Sequence, residues 1–292
     1  MAAVREKLSH EERTAAEPRE DGLHPVKLNR IEQVNESIRL LRLSVLDHQR
    51  GVKFLPGQWL DIFIPGLPKA GGFTITSIPR DAEPVGENAD KADGRPYLEL
   101  AVQNSPKNPP AARLWRPSDE ILGTQLVVRV GGSFVFPPLG VPPQFVKRLV
   151  IIAGGVGINP LISILAHLHY TNTMPPSVQF LYSTKIGQPS PKLEDVLFLD
   201  RLRSILKGNE DRMRLSLFIT GQRLELETGS GIDLHYRRIG QHDLREALGP
   251  VSERRNAFCY VCGPQGMTDE LVARVRNEDS VVPDQVLCEK WW

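Results

Sequence analysis

The sequence has few of the features that mark secreted, membrane-spanning or nucleic-acid-binding proteins. Its 292 residues contain three cysteines, a small odd number that argues against a disulfide framework and fits a reducing compartment. No apolar run approaches the length needed to cross a bilayer. The net charge of +1 gives no reason to expect nucleic acid or an anionic membrane as the main partner. Cys259 and Cys262 form a C-x-x-C pattern, but no second pair completes a zinc site, so no metal site is predicted.

The first 25 residues carry many charges of both signs and no apolar core segment. They therefore do not read as a secretory signal, and they are too acidic for a typical mitochondrial transit peptide. We interpret residues 1–25 as a mobile N-terminal tail.

Residues 26–136 are predicted to form an antiparallel β-barrel, because short apolar or alternating runs are separated by glycine and proline turns. Gly71-Gly72 is one such predicted turn, and residues 80–96 read as an exposed polar loop. The predicted strands cover residues 38–46, 58–64, 97–102, 124–130 and 134–136, with a short helix over 108–115. The proline-rich residues 137–145 are predicted to be a linker.

Residues 146–292 alternate strand and helix patterns, which predicts a parallel sheet covered by helices on both faces, an α/β domain. Ligands of such sheets bind outside the carboxyl ends of the strands. Predicted strands cover residues 149–153, 177–183, 214–220, 257–262 and 285–288, and helices cover 194–206, 244–248, 268–276 and a segment from 161 onward.

A glycine turn follows the first of these strands. Gly154, Gly155 and Gly157 interrupt the apolar pattern, Asn159 is expected to cap the next helix, and Pro160 suits its first position. Such a turn presents backbone N–H groups beside the positive end of a helix, which suits a diphosphate. Many glycine-containing loops bind nothing, and the pattern is not G-x-G-x-x-G, so the turn alone leaves both interpretations open.

Six short motifs follow one another along the chain: Phe54-Leu55-Pro56-Gly57-Gln58-Trp59, Phe73-Thr74-Ile75-Thr76-Ser77, Gly154-Gly155-Val156-Gly157 with Pro160, Tyr182-Ser183-Thr184-Lys185, Tyr260-Val261-Cys262-Gly263-Pro264 with Met267, and Glu289-Lys290-Trp291-Trp292. In this order they resemble the ferredoxin–NADP reductase superfamily, a flavin-binding barrel followed by a nucleotide-binding domain.

The resemblance implies an NAD(P)H-dependent flavoprotein oxidoreductase. Hydride would pass from the nicotinamide to FAD, and electrons would continue to an unknown acceptor, which could be a protein. It implies three catalytic residues: Thr74 at the flavin nitrogen, Cys262 at the nicotinamide and Glu289 near the flavin. The implied FAD-binding residues are Phe73, Thr74, Ile75, Thr76, Ser77, Trp291 and Trp292. The implied nucleotide-binding residues are Gly154, Gly155, Val156, Gly157, Ile158, Asn159, Pro160, Ser183, Lys185, Gly263, Pro264 and Met267.

The chain departs from the family pattern at two positions. Gly71 occupies the place of an arginine that would bind the flavin diphosphate, and Ala111 replaces a hydroxyl residue at a helix start. An alternative function is therefore a nucleotide sensor or scaffold with a decayed flavin site. The proposed site residues also have non-functional readings: Thr74 as an ordinary strand residue, Cys262 as a packed thiol, Glu289 as a surface charge and the tryptophans as core.

Nucleotide preference and compartment rest on the resemblance alone, which favours NADH and a mitochondrial location, with the cytoplasm as the alternative. Ser183, Lys185 and Arg223 could instead read the 2′-phosphate of NADPH.

Overall fold

The computed structural model describes residues 8–84, 95–186, 192–221 and 231–290. These residues form two compact units. Unit 1 comprises residues up to 32 together with 39–133, and unit 2 comprises residues 33–38 together with those from 134 onward.

Unit 1 is built on a six-stranded antiparallel sheet with the strand order β4-β3-β6-β1-β2-β5, as predicted. The edge strands β4 and β5 approach each other at an isolated bridge between Ile75 and Leu100, so the sheet is barrel-like without a closed ladder. Its strands are β1 His24–Asn35, β2 Ile38–Val45, β3 Trp59–Phe63, β4 Gly71–Thr74, β5 Tyr97–Gln103 and β6 Gln125–Gly131. Its helices are α1 His10–Arg13, α2 Pro109–Leu114 and α3 Ser118–Ile121.

Successive side chains along each strand point to opposite faces of this sheet, one facing the apolar core and one facing away from it. On β3, Leu60 and Ile62 point into the apolar core, whereas Trp59 and Asp61 point to the opposite face. Each large apolar side chain buried in this way contributes about 1.5–3 kcal/mol to the free energy of unfolding.

The prediction of a turn at Gly71-Gly72 is wrong, because these residues belong to β4 and pair with Ile62 and Asp61 of β3. The glycines reflect crowding above the strand: a side chain on Gly72 would overlap the ring of His10. Strand β1 was not predicted, because its exposed residues outnumber its buried ones and break the alternation.

The N-terminal segment, residues 8–20, is packed on unit 1 and is not the mobile tail that the sequence predicts; residues 1–7 lie outside the described part of the chain. His10 is 7% exposed and lies edge-on to Trp59, with ring centroids 4.6 Å apart. Arg19 Nε lies 2.9 Å from Oδ2 of the fully buried Asp61. His10 and Arg19 of this segment therefore share one carboxylate partner on the sheet, Asp61, which the local sequence does not reveal.

Unit 2 contains a six-stranded parallel sheet with the order β10-β9-β8-β7-β11-β12, flanked by helices, which confirms the predicted α/β fold. Its strands are β7 Arg148–Gly154, β8 Ser177–Thr184, β9 Met213–Ile219, β10 Ile232–His235, β11 Ala257–Cys262 and β12 Val286–Glu289. Its helices are α4 Ile158–Tyr170, α5 Leu199–Lys207, α6 Gln241–Leu248 and α7 Gln265–Arg276.

Residues 134–136 are neither a strand nor part of the barrel unit, contrary to the prediction. The ring of Phe134 lies 5.2 Å from that of Tyr260 on β11, and Tyr260 Oη donates a hydrogen bond to the Val135 carbonyl at 2.7 Å. The proline-rich residues 137–145 follow within unit 2 and include a 3₁₀ turn at Pro143–Phe145. Among the described helices, none has the length and apolar character required to cross a membrane.

Candidate functional site

The glycine turn of unit 2 is closed on its protein side and open on the other. Strand β7 ends at Gly154, a 3₁₀ turn covers Gly155–Gly157, and α4 begins at Ile158. A Cβ on Gly157 would lie 2.5 Å from the backbone nitrogen of Gly263, so only glycine fits there. Gly155 has a φ of +52°, and no described atom lies within 4 Å of the place a Cβ would take. The turn therefore leaves a space above backbone N–H groups at a helix start.

The start of α4 differs from the prediction. Asn159 and Pro160 are its second and third residues, and no side chain caps the helix, so Asn159 is not the cap. Pro160 is nevertheless compatible with this place, because N–H groups of the first turn have no partner within the helix. A helix of 13 residues with an uncapped start retains a partial positive charge for an anion.

The loop after β11 packs directly against this turn. A Cβ on Gly154 would lie 2.6 Å from Met267 Sδ and 2.8 Å from Pro264 Cδ, and one on Gly263 would lie 3.1 Å from Gly154 Cα. Thr268 Oγ1 donates a hydrogen bond to the Gly263 carbonyl at 3.1 Å, which holds the loop in this conformation. The structure thus brings together the predicted glycine turn and the predicted Gly263-Pro264-Met267 segment.

Cys262 and Glu289 end neighbouring strands. Cys262 is the register partner of Ala153 on β7 and of Glu289 on β12, so the predicted thiol and carboxylate lie at one edge of the sheet. Cys262 is fully buried and Glu289 is partly exposed. Trp291 and Trp292, predicted to cover a flavin, lie outside the described residues.

The end of β8 supports the turn from the other side. Tyr182 Oη donates a hydrogen bond to the Gly155 carbonyl at 3.3 Å, and burial raises the pKa of Tyr182, which keeps this donor protonated. Ser183 is the register partner of Gly154. The topology also changes direction here: the chain proceeds from β7 through β8 to β10 on one side and returns to β11 on the other. Nucleotides bind parallel sheets at such switch points.

Lys185 borders a cavity of about 400 Å³ at the carboxyl ends of β8, β9 and β10. Sequence reasoning missed Tyr236 and Arg238 on its rim, because the four-residue strand β10 was not recognised. Arg237 is bound by Asp243, with Nη2 and Oδ1 2.7 Å apart. Arg223 lies outside the described residues. The lining consists of Lys185, Ile219, Thr220, Gly221, Tyr236, Arg237 and Arg238.

The residues of the predicted flavin motif in unit 1 differ in whether their side chains are already engaged by the protein. The Ile75 side chain is fully buried in the core, Thr76 Oγ1 donates to Glu99 Oε1 at 2.9 Å, and the Glu99 N–H donates to Ser77 Oγ at 3.1 Å. Phe73 is half-buried beside the core. Thr74 is 5% exposed, and no hydrogen bond within the described residues engages its hydroxyl. Thr74 thus differs from Thr76 and Ser77, whose hydroxyls are engaged within the unit.

The residues expected near the diphosphate of FAD do not fit that group. A Cβ on Gly71 would overlap Pro110 and would lie 2.7 Å from Phe73 Cε2, so no arginine can stand there. Helix α2 begins with Pro109 and Pro110, which have no N–H, and Ala111 is buried and apolar. The start of α2 therefore lacks the cation and most of the N–H donors that a flavin diphosphate would need.

Comparison with known proteins identifies the family of this chain. Residues 151–272 match the model of the oxidoreductase NAD-binding domain family. The chain is 34% identical over 291 residues to oxidoreductase NAD-binding domain-containing protein 1 of Xenopus tropicalis, covering 99% of this chain and 85% of the relative. It is 32% identical over 290 residues to the Homo sapiens protein of that name, covering 98% and 85%. The chain belongs to this oxidoreductase family.

Solved structures share the two-part fold. The ferredoxin reductase in carbazole 1,9a-dioxygenase superposes with a TM-score of 0.64 at 16% identity, covering 91% of this chain and 68% of that one. The FAD/NAD-binding domain of nitric oxide dioxygenase from Vibrio cholerae gives a TM-score of 0.64 at 14% identity, covering 91% and 97%. The fold is thus ferredoxin reductase-like, and the family match spans the glycine turn, Cys262 and Met267.

Proposed function

We propose that this protein is an NAD(P)H-dependent flavin oxidoreductase, which passes hydride from the nicotinamide to a flavin and electrons onward to an acceptor outside this chain. The resemblance names FAD as the flavin. The observation that carries the proposal is the glycine turn, with open space over Gly155 and the Cys262–Gly263 backbone against Gly157. It fits the diphosphate of a pyridine nucleotide.

The strand order supports one orientation of this nucleotide, with its two ends pointing toward different strands. Strands β8 and β11 flank β7 on opposite sides, and neighbouring strands lie about 4.8 Å apart. A dinucleotide seated on the turn can therefore extend its adenosine toward Ser183 and Lys185 and its nicotinamide toward Cys262. In this arrangement Cys262, Pro264 and Met267 position the nicotinamide, while the lack of a side chain at Gly155 admits the diphosphate.

A bound flavin would accept one hydride, which carries two electrons, and would release these electrons singly or together. Thr74 would donate a hydrogen bond to the flavin nitrogen that receives hydride, and Phe73 would flank the ring. Glu289 would offer a carboxylate near the site of charge change, and Trp291 and Trp292 would shield the ring from water. Each role extends the resemblance to a named residue of this chain.

Bleaching of flavin absorbance tests the proposal. We expect the full-chain protein supplied with flavin to lose absorbance near about 450 nm when NADH or NADPH is added without oxygen, because the flavin takes the hydride. Thr74→Val should slow this reduction about 10²-fold, as loss of one preorganised donor does elsewhere. Thr74→Ser, which keeps the hydroxyl, is the matched control. Bound flavin that neither nucleotide bleaches would refute the function.

The choice between NADH and NADPH requires its own measurement. The resemblance favours NADH, whereas the cavity rim carries Lys185 and Arg238, and no carboxylate is among its described lining residues. A 2′-phosphate seeks such cations. Comparing the Kd of both nucleotides in the wild type and in Lys185→Ala decides the preference: a loss confined to NADPH assigns Lys185 to the 2′-phosphate.

A nucleotide sensor or scaffold is the second candidate, favoured by Pro110 against Gly71 in the flavin-binding unit. It predicts protein that binds NADH, is colourless and takes up no added flavin. The electron acceptor and the mitochondrial location remain proposals from the resemblance. Cell fractionation with an antibody against the native protein tests the location, and recovery in the cytosol alone would contradict it.

A further inference from the structure

The start of α2 is filled by protein atoms where a flavin diphosphate would be expected. Gly71 is buried on β4, and Pro110 of α2 packs directly over it. A side chain of any kind at position 71 would overlap Pro110, so a cation there is sterically excluded and not merely missing. The same contact ties α2 to the strand that carries Phe73 and Thr74.

The start of α2 also has few hydrogen-bond donors. Its first two residues, Pro109 and Pro110, have no N–H. The N–H of Ala112 already donates to the Asn108 carbonyl at 2.8 Å. The N–H of Ala111 is the remaining donor of the first turn, on a residue that is 3% exposed. A diphosphate carries two negative charges and needs several donors, which this helix start does not offer.

The nearby cations are weak substitutes for these contacts. Lys107 precedes the prolines on an exposed stretch, where water screens its charge. Arg113 lies one turn into α2, beyond the residues whose N–H groups would face an anion. In contrast, Phe73 is partly exposed, and no hydrogen bond within the described residues engages the Thr74 hydroxyl, so these two groups are the candidates for contacts to the flavin ring.

We propose that unit 1 binds a flavin by its ring end alone, so that the flavin is an exchangeable substrate and not a resident FAD. This inference rests on the proposed function. Riboflavin, FMN and FAD share the same ring and should compete with similar affinity. In the reaction, NAD(P)H gives up a hydride and becomes NAD(P)⁺. The flavin accepts that hydride together with one proton from solvent, and the reduced flavin dissociates with both electrons.

Titration of the three flavins against the full-chain protein tests this inference. Riboflavin, FMN and FAD should bind with Kd values within about threefold of each other, and desalting should remove bound FAD, because no contact is made to the diphosphate. FAD that binds more than about tenfold tighter than riboflavin, or that survives desalting at one per chain, would overturn the inference. If the protein binds NADH but none of the three flavins, both the ring-end binding proposed here and the proposed oxidoreductase function fail. FAD that binds tightly would instead overturn only this inference and leave the proposed function standing.

Pro110→Ala sharpens the test, since it restores one N–H at the start of α2. We expect its FAD affinity to rise at least about threefold relative to riboflavin, as one charge-assisted hydrogen bond would produce. The riboflavin Kd should not change, which checks that the variant folds. Pro117→Ala, at an exposed proline before α3, is the matched control and should leave the ratio unaltered. An unchanged ratio in Pro110→Ala would overturn the claim that the missing N–H of Pro110 limits binding of the diphosphate.

Discussion

The two units contain a similar local element, a helix start packed beside a strand, with opposite outcomes. In unit 2 the start of α4 follows glycines, and the space over Gly155 is open. In unit 1 the start of α2 consists of two prolines, and Pro110 fills the space over Gly71. The difference shows that a helix dipole alone does not create an anion site. Free donors and empty space must be present at the same place.

In unit 1, the face of β3 and β4 beneath the N-terminal segment is closed by charge as well as by packing. Asp61 is fully buried, and its carboxylate lies 2.7 Å from Arg129 Nη2, 2.9 Å from Arg19 Nε and 3.1 Å from His10 Nε2. His10 and Arg19 belong to the N-terminal segment, so this cluster fastens the segment over β3 and β4. The following predictions compare these closed places in unit 1 with the open glycine turn of unit 2.

Asp61→Asn should have the largest effect, because it leaves buried donors facing a neutral amide. We expect the free energy of unfolding to fall by about 3–5 kcal/mol, as when one partner of a buried ion pair is removed. Chemical denaturation measures the loss, and limited proteolysis should cut the N-terminal segment first. Asp269→Asn, which removes the exposed partner of Lys290, should cost no more than about 1 kcal/mol. Equal losses in the two variants would contradict the role of the buried cluster.

Gly157→Ala should break the open site of unit 2. The new Cβ would lie 2.5 Å from Gly263 N, which forces β11 and the turn apart. Overpacking of this kind costs about 1–3 kcal/mol, and nucleotide affinity should fall at least about tenfold. Gly266→Ala is the control, since no described atom lies within 4 Å of its Cβ position. Calorimetric titration with NADH and NADPH measures the affinities; wild-type affinity in Gly157→Ala would refute the assigned geometry.

Acid should open the unit 1 cluster only at low pH. Burial of Asp61 tends to raise its pKa, but hydrogen bonds from His10, Arg19 and Arg129 outweigh this and lower the pKa to about 2, from an ordinary value of 3.8. A lowered pKa means that the stabilisation is complete above pH about 4 and is lost as the pH falls toward about 2.

The stability difference between wild type and Asp61→Asn measures this effect. We expect the difference to be constant from pH about 7 to about 5 and to shrink between about 4 and 2, because protonation of Asp61 makes it neutral like Asn. A difference that already shrinks between pH about 7 and 5 would show that a group other than Asp61 controls it.

The smallest effect concerns the thiols of unit 2. Cys259 is fully buried on β11, and burial raises its pKa to about 12, while Cys288 on β12 is partly exposed. Because thiolates are the reactive form, one thiol per native chain should react rapidly with a disulfide reagent near pH about 8, and all three after unfolding. Cys288→Ala should remove the rapid phase. Rapid reaction of Cys262 in the native protein would contradict its burial.

Local sequence signals predicted much of this molecule. The strand–helix alternation after residue 146, the antiparallel pattern before it and the glycine turn each follow from the periodicity or flexibility of adjacent residues. The short strand β10 and the glycine-bearing strand β4 escaped prediction, because both depend on neighbouring strands for their hydrogen bonds. Tyr236 and Arg238 were missed for the same reason.

The sequence by itself determined the two kinds of fold, their order and the glycines from which a nucleotide site is built. Only the tertiary structure decided that Gly157 abuts Gly263, that Pro110 covers Gly71 and that Asp61 gathers Arg19 and Arg129. The physical reason is separation along the chain: Asp61 meets partners 42 and 68 residues away, and no local pattern encodes such contacts. Periodicity reports which face of an element is buried, whereas the packing of whole units determines what that face meets.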